Sequence, residues 1–117
     1  MSKNDYNNHS QLITFMHHIY EYKKGVRKLV LCTTDITCAN LVIEKLKVNK
    51  INYLLQKVSN NKVNLFFGDK YCLRVIKPLL NKKLNQFSAE EDFILGIMLG
   101  YDLTEQCKRL IKFRQLT

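Results

Sequence analysis

The sequence predicts an α+β fold, and three observations carry that prediction. After one helical stretch the hydropathy pattern runs strand, helix, strand, strand, helix and short strand. The two most apolar strand segments, residues 29–32 and 63–67, are the first and third of that series, while the segments around Gln56, Lys57, Asn85 and Gln86 are polar enough for sheet edges. Finally, Ser88 and Glu91 stand in capping-box spacing at the head of a C-terminal helical pair.

In chain order, residues 10–24 carry Leu12, Met16, Ile19, Tyr20 and Lys23 at helical spacing, with Gly25 as the stop. Alternation from residue 15 to 22 also fits a strand, although helix is preferred. Leu29, Val30, Leu31 and Cys32 are apolar on both faces, which suits a central strand. Thr34 or Asp35 then caps a helix over 36–48, whose inner face is expected to be Cys38, Leu41, Val42, the Lys45 stem and Leu46. Residues 51–58 and 63–67 form a hairpin around Ser59, Asn60 and Asn61, residue types that suit turns. Gly68 ends the second strand, and Asp69 caps a helix through Tyr71, Cys72, Val75 and Ile76 that Pro78 ends or kinks. A short fourth strand is expected at 84–87. Two helices follow, separated by Gly100; the second, which Asp102 and Glu105 begin, is expected to bury Leu103, Cys107, Leu110 and Ile111.

This order is the split βαβ arrangement of a ferredoxin-like sheet, flanked by an N-terminal helix and a C-terminal helical pair. Its topology puts the first and third strands in the middle, where the apolar segments are. Residues 1–9 are expected to be a frayed tail and 10–117 a single α+β domain.

The longest uncharged apolar run has nine residues, 93–101, far short of the ~20 that span a bilayer. The N-terminus has no apolar core of a signal peptide, so a cytoplasmic, reducing setting is expected. The four cysteines, Cys32, Cys38, Cys72 and Cys107, form no CxxC pair and read as free, mostly buried thiols. Cys32 and Cys38 flank a strand-to-helix turn, where a thiolate is the competing reading. A net charge of +9 favours nucleic acid, anionic lipid or acidic partners, but the basic residues are scattered and lysine-rich, as a solvated surface would be.

Three blocks are shared in order with a small bacterial family of unknown function. They are His17-His18-Ile19-Tyr20-Glu21-Tyr22-Lys23-Lys24-Gly25, Asn64-Leu65-Phe66-Phe67-Gly68-Asp69, and Glu90-Glu91-Asp92-Phe93-Ile94-Leu95-Gly96 continuing to Leu99-Gly100-Tyr101-Asp102. The chain resembles that family from about residue 16 to 110. The resemblance implies no activity, cofactor or catalytic residue. Occurrence of such relatives near flavodoxin genes implies an acidic flavodoxin-like protein as a partner.

No stretch spells out a reaction, and no cofactor is expected. His17 and Glu21 share a helix face, and with His18 they are the metal candidates, but they lack a third ligand from elsewhere. Glu90, Glu91 and Asp92 read as first-turn charges that complement the helix dipole. Gly68 and Gly100 precede helix caps and belong to no phosphate-loop motif. Tyr53, Phe66 and Phe67 near Lys57 and Lys62 would suit base stacking if they shared an open sheet face, which is the RNA-binding alternative; a small metal- or thiol-dependent enzyme ranks third.

The leading expectation is a non-enzymatic interaction domain. A helix apolar on every side must be buried or meet a partner, so Phe93, Ile94, Ile97 and Met98 are expected to mediate self-association. Lys23, Lys24, Arg27 and Lys28, the densest basic cluster, are expected to meet the acidic partner.

Overall fold

The computed structural model describes the backbone of residues 3–116 and the side chains of residues 10–115. It has the expected α+β fold, consistent with a ferredoxin-like arrangement. Helix α1 (Lys3–Lys23) precedes β1 (Leu29–Asp35), α2 (Ile36–Val48), β2 (Asn52–Lys57) and β3 (Lys62–Gly68). Helix α3 (Lys70–Ile76), two 3-10 turns (Lys77–Asn81 and Leu84–Gln86), α4 (Ala89–Met98) and α5 (Leu103–Leu116) follow. The first helix thus starts at Lys3, ahead of the expected Ser10, and takes in part of the segment read as a tail; residues 1 and 2 lie outside the described residues.

The strands lie in the order β1-β3-β2, with β3 antiparallel to both neighbours. The β1-α2-β2 crossover spans β3, which is the split βαβ unit. Alternation along the strands sends side chains to two faces. Val30, Leu65 and Phe67 pack on one face with Phe15 and Ile19 of α1 and with Cys38, Val42 and Leu46 of α2. Leu29 and Phe66 pack on the other with Leu73 and Ile76 of α3 and with Leu95 and Leu99 around α4. Both faces are covered.

The fourth strand does not form. Residues 84–86 make a 3-10 turn, and Leu84 and Phe87 pack into the second core cluster. Two apolar residues three apart fall on one side of such a turn, whereas in a strand they would point to opposite faces. Pro78, at the start of the preceding 3-10 turn, has already bent the chain. Gln56 Nε2 then holds the segment by donating to the carbonyls of Leu80 (3.2 Å) and Lys82 (2.8 Å). As a result β1 is an edge strand and only β3 is central.

Gln56 also ends a polar row that crosses the whole sheet. Thr33 Oγ1 donates to Asn64 Oδ1 (2.5 Å), and Asn64 Nδ2 donates to Gln56 Oε1 (2.8 Å). The three residues are in cross-strand register, and Asn64 is buried on the central strand.

Several helix faces are rotated from their expected positions. In α1 the inward residues are Leu12, Phe15, Ile19 and Tyr22, while Met16 and Tyr20 are exposed. In α2 Ala39 and Ile43 are buried and Leu41 is exposed. In α3 Leu73 and Ile76 are buried, while Tyr71 and Val75 face solvent.

The helix ends are as expected. Asp35 accepts from the Cys38 N–H, Asp69 from Tyr71 and Cys72, and Asp102 from Glu105. Ser88 and Glu91 form the reciprocal capping box. Gly25 and Gly100 take positive φ at the helix stops.

Candidate functional site

Helices α4 and α5 form an antiparallel hairpin. They meet where the Gln106 side chain lies against Gly96, in the space a Cβ would occupy. Arg109 grips Asp92 with two hydrogen bonds (Nε at 2.6 Å and Nη2 at 3.1 Å), and Arg114 pairs with Glu90 (3.1 Å). Asp92 in turn holds the Arg109 guanidinium more firmly charged than usual. Lys82 anchors the base of the hairpin on Glu91 (2.6 Å). Hydrogen bonding by Lys82 and the Ser88 amide holds the Glu91 carboxyl below its ordinary range.

The expected self-association residues divide between two sides of α4. Met98 packs inward with Leu95 and Leu99, while Ile94 and Ile97 face solvent and Phe93 is half-buried. Helix α5 departs further from expectation. Leu103 and Ile111 are exposed, Cys107 and Leu110 only half-buried, and no side chain described in α5 is fully buried. The helix packs chiefly on α4 and does not cover the sheet.

Gln106 and Arg109 face a cavity on the sheet side. Leu103 and Leu110 lie three and four residues from Gln106 and so flank it on the same side of α5, Leu103 exposed and Leu110 half-buried. Both helices of the hairpin thus carry exposed apolar side chains, Ile94 and Ile97 on α4 and Leu103 and Ile111 on α5. Its charge sets it apart from the rest of the chain. Residues 89–116 hold five acidic and four basic side chains, net −1, whereas residues 1–88 hold five acidic and fifteen basic, net +10.

The basic cluster is at the junction of α1 and β1. Arg27 Nε pairs with Glu21 (3.3 Å), Lys23 Nζ donates to Asn49 Oδ1 (3.0 Å), and Lys24 is 5.5 Å from the centre of the Tyr20 ring. Lys23, Lys24 and Lys28 are exposed and Arg27 is half-buried. The cluster therefore retains most of its positive charge at the surface.

Among the described residues no group of three or more His, Cys, Asp or Glu side chains could hold a metal ion. His18, not His17, approaches Glu21, with Nδ1 3.7 Å from Oε1. An i, i+3 neighbour has replaced the expected i, i+4 one. His18 Nδ1 is buried without a hydrogen bond. Burial, followed by the Arg27 charge, pushes the His18 pKa below the ordinary 6.5, with Glu21 pulling the other way and His17 adding to the depression. The unfolded chain therefore binds the proton first as pH falls, and stability drops below about pH 6.5. His18→Phe is expected to flatten that acid-side fall in melting temperature between pH 7.5 and 5.5. An unchanged profile would show that another group controls it.

Burial also raises the thiols of Cys38 and Cys72, and raises Cys32 to about 11, so none is an activated thiolate. The three aromatics of the RNA-binding alternative do not share a face. Phe67 and Tyr53 pack with α1 and α2, Phe66 packs under α3 and α4, and both phenylalanines are fully buried. Phe66 and Phe67 are adjacent in one strand, so their side chains diverge, and helices cover both sides.

No helix among the described residues is long and apolar enough to cross a membrane. A family model described as a protein of unknown function (DUF2023) matches residues 13–113. A comparison with curated proteins found no match.

Proposed function

The chain belongs to the DUF2023 family, and we propose that it is a non-enzymatic protein-interaction domain that self-associates through the α4–α5 hairpin and leaves its basic body free for an acidic partner. The observation that carries this reading is the outer surface of the hairpin. Ile94, Ile97, Leu103 and Ile111 are 43%, 37%, 62% and 55% exposed on a two-helix unit of net charge −1. Covering such exposed apolar side chains stabilises association. Two bodies of net +10 repel one another, whereas two nearly neutral hairpins meet without that penalty. Hairpin against hairpin makes a four-helix arrangement with twofold symmetry.

Sedimentation equilibrium at ~100 µM tests this, a loading that populates weak as well as tight dimers. A dimer is expected, and Ile94→Glu with Ile97→Glu should return it to monomer, since both side chains face solvent in the single chain. A monomeric parent protein would rule out the self-association.

The acidic partner, an acidic redox protein such as a flavodoxin, is proposed to meet Lys23, Lys24, Arg27 and Lys28. Exposed charge chiefly speeds encounter, and salt screens it over ~8 Å at physiological strength. Lys24→Glu with Arg27→Glu should slow association with a flavodoxin at low salt and much less at high salt. Equal rates with and without those charges would remove the electrostatic role.

A further inference from the structure

The hydrogen-bond register of β1 shows which of its backbone groups are unused. Asp69 N–H donates to the Lys28 carbonyl (2.8 Å), and Ile36 N–H donates to the Asn61 carbonyl (3.0 Å). Both pairs continue the β1–β3 register, so Val30, Cys32 and Thr34 bond inward to β3. Leu29, Leu31, Thr33 and Asp35 turn their N–H and C=O groups away from the sheet. Leu29 is buried, but Leu31 is half-buried and Thr33 is exposed. Among the described residues no hydrogen bond reaches the outward backbone groups of Leu31 or Thr33.

Three cavities border this edge. One of about 360 Å3 lies beside Leu31 and is walled by Leu84, Phe87, Leu95, Leu99 and Arg109. Another of about 340 Å3 reaches Thr33 from across the sheet, over Asn64, Gln56 and Lys57, and is closed by Lys83 and Asn85. The third, about 300 Å3, joins Cys32, Thr33 and Thr34 to Gln11, Thr14 and Phe15 of α1. The edge is therefore a groove between α1 and the 84–109 segment, at the position a fourth ferredoxin-like strand would fill. Edge strands that remain free are usually protected by lysine, proline or a bulge. The run from Leu29 to Thr34 contains no charged residue and no proline, and its register with β3 is unbroken.

We propose that the open edge of β1 accepts an extended acidic segment of the partner protein as a fourth strand. This rests on the interaction reading above and specifies how the acidic partner binds. Main-chain pairing at Leu31 and Thr33 would supply affinity, and the cavities would select alternate side chains. Apolar residues suit the Leu31 cavity, and polar ones suit the Gln11–Thr14 side. Charge decides the occupant. The edge begins directly after Arg27 and Lys28, and Lys57 and Lys83 line the Thr33 cavity within residues 1–88 of net +10, while Arg109 in the Leu31 cavity is paired with Asp92. A second copy would bring that same positive charge to the groove, whereas an acidic strand neutralises it.

The test pans a displayed library of random eight-residue linear peptides on the full chain at low salt. The enriched peptides are then used in amide hydrogen exchange. Acidic peptides with alternating apolar residues are expected, and they should newly protect the amides of Leu31 and Thr33 while leaving Val30, Cys32 and Thr34 unchanged. Thr33→Pro removes an outward N–H, which an edge strand tolerates, and with it the hydroxyl that donates to Asn64, a loss that Thr33→Val reproduces alone as the control. Thr33→Pro should weaken the peptides about tenfold, the value of one main-chain hydrogen bond. The exchange map on the parent protein decides the matter even if that variant fails to fold.

An acidic peptide that protects other amides, or that binds a folded Thr33→Pro variant equally well, would overturn strand addition while leaving the interaction reading. Enrichment without acidic residues would overturn the choice of occupant. Concentration-dependent protection of Leu31 and Thr33 without peptide would assign the edge to a second copy instead. No enriched peptide at all would overturn both this proposal and the acidic partner.

Discussion

Gly68→Ala is expected to cost about 3 kcal/mol of stability. Gly68 closes the central strand at φ +142°, a conformation that L side chains rarely adopt. A Cβ there would drive into the Lys28 carbonyl and approach Leu29 Cα at 3.1 Å. Both obstacles are backbone. They cannot rotate away, and the Lys28 carbonyl is already held by the Asp69 N–H. The change would thus strain the β1–β3 pairing and the cap of α3 together.

Gly25→Ala is the matched control. Its φ of +79° is also left-handed, yet its Cβ would meet nothing within 4 Å. It should cost only about 1 kcal/mol from backbone strain. Urea unfolding of the two variants checks this. Similar losses would mean that the Lys28 carbonyl yields and that close approach is not what demands glycine at Gly68.

Asn64→Asp is expected to cost roughly 3 kcal/mol at pH 7 and to reverse its own effect in acid. Asn64 accepts from Thr33 and donates to Gln56 in the middle of the sheet. An ionised carboxylate could still accept from Thr33 but would face the Gln56 carbonyl oxygen with no proton to offer. Turning the Gln56 amide over would satisfy the carboxylate only by releasing the Leu80 and Lys82 carbonyls.

The new acid would bind its proton more tightly in the folded state than in the unfolded one, since burial favours the neutral form. Its cost is therefore present at neutral pH and is recovered as pH falls through the raised folded pKa toward the ordinary value near 3.9. Denaturant midpoints for parent and variant should converge between pH 7 and pH 4. A gap independent of pH would show that the row tolerates charge and that geometry alone sets the loss.

The sequence was most informative where the determinant is local. Asp35, Asp69, Ser88 with Glu91, and Asp102 each satisfy backbone N–H groups within three residues, so the helix starts could be read from residue type and spacing alone. The stops at Gly25 and Gly100 and the bend at Pro78 are local in the same sense. The hairpin between β2 and β3 follows from alternation on either side of Ser59, Asn60 and Asn61. The exposed apolar residues of the C-terminal hairpin were legible only in part. Ile94 and Ile97 stand out because residues 93–99 carry no polar side chain, whereas helical spacing points Leu103 and Ile111 to the core and they lie on the outside.

What the tertiary structure alone decided is which face each element turns inward and which edge remains open. In α1, Leu12, Met16, Ile19, Tyr20 and Lys23 define one plausible stripe, and Leu12, Phe15, Ile19 and Tyr22 another, sharing two residues. Spacing cannot choose between stripes so close in angle; the positions of Val30, Phe67 and Cys38 on the facing elements do. Residues 84–87 were compatible with a strand until Leu84 and Phe87 found places in the same core. That packing took the fourth strand out of the sheet and left the outward amides of Leu31 and Thr33 without partners among the described residues. Local caps and turns are determined within a few residues of chain, and the sequence by itself specifies them. Burial and edge pairing depend on surfaces that come together from distant segments, and only the folded chain resolves them.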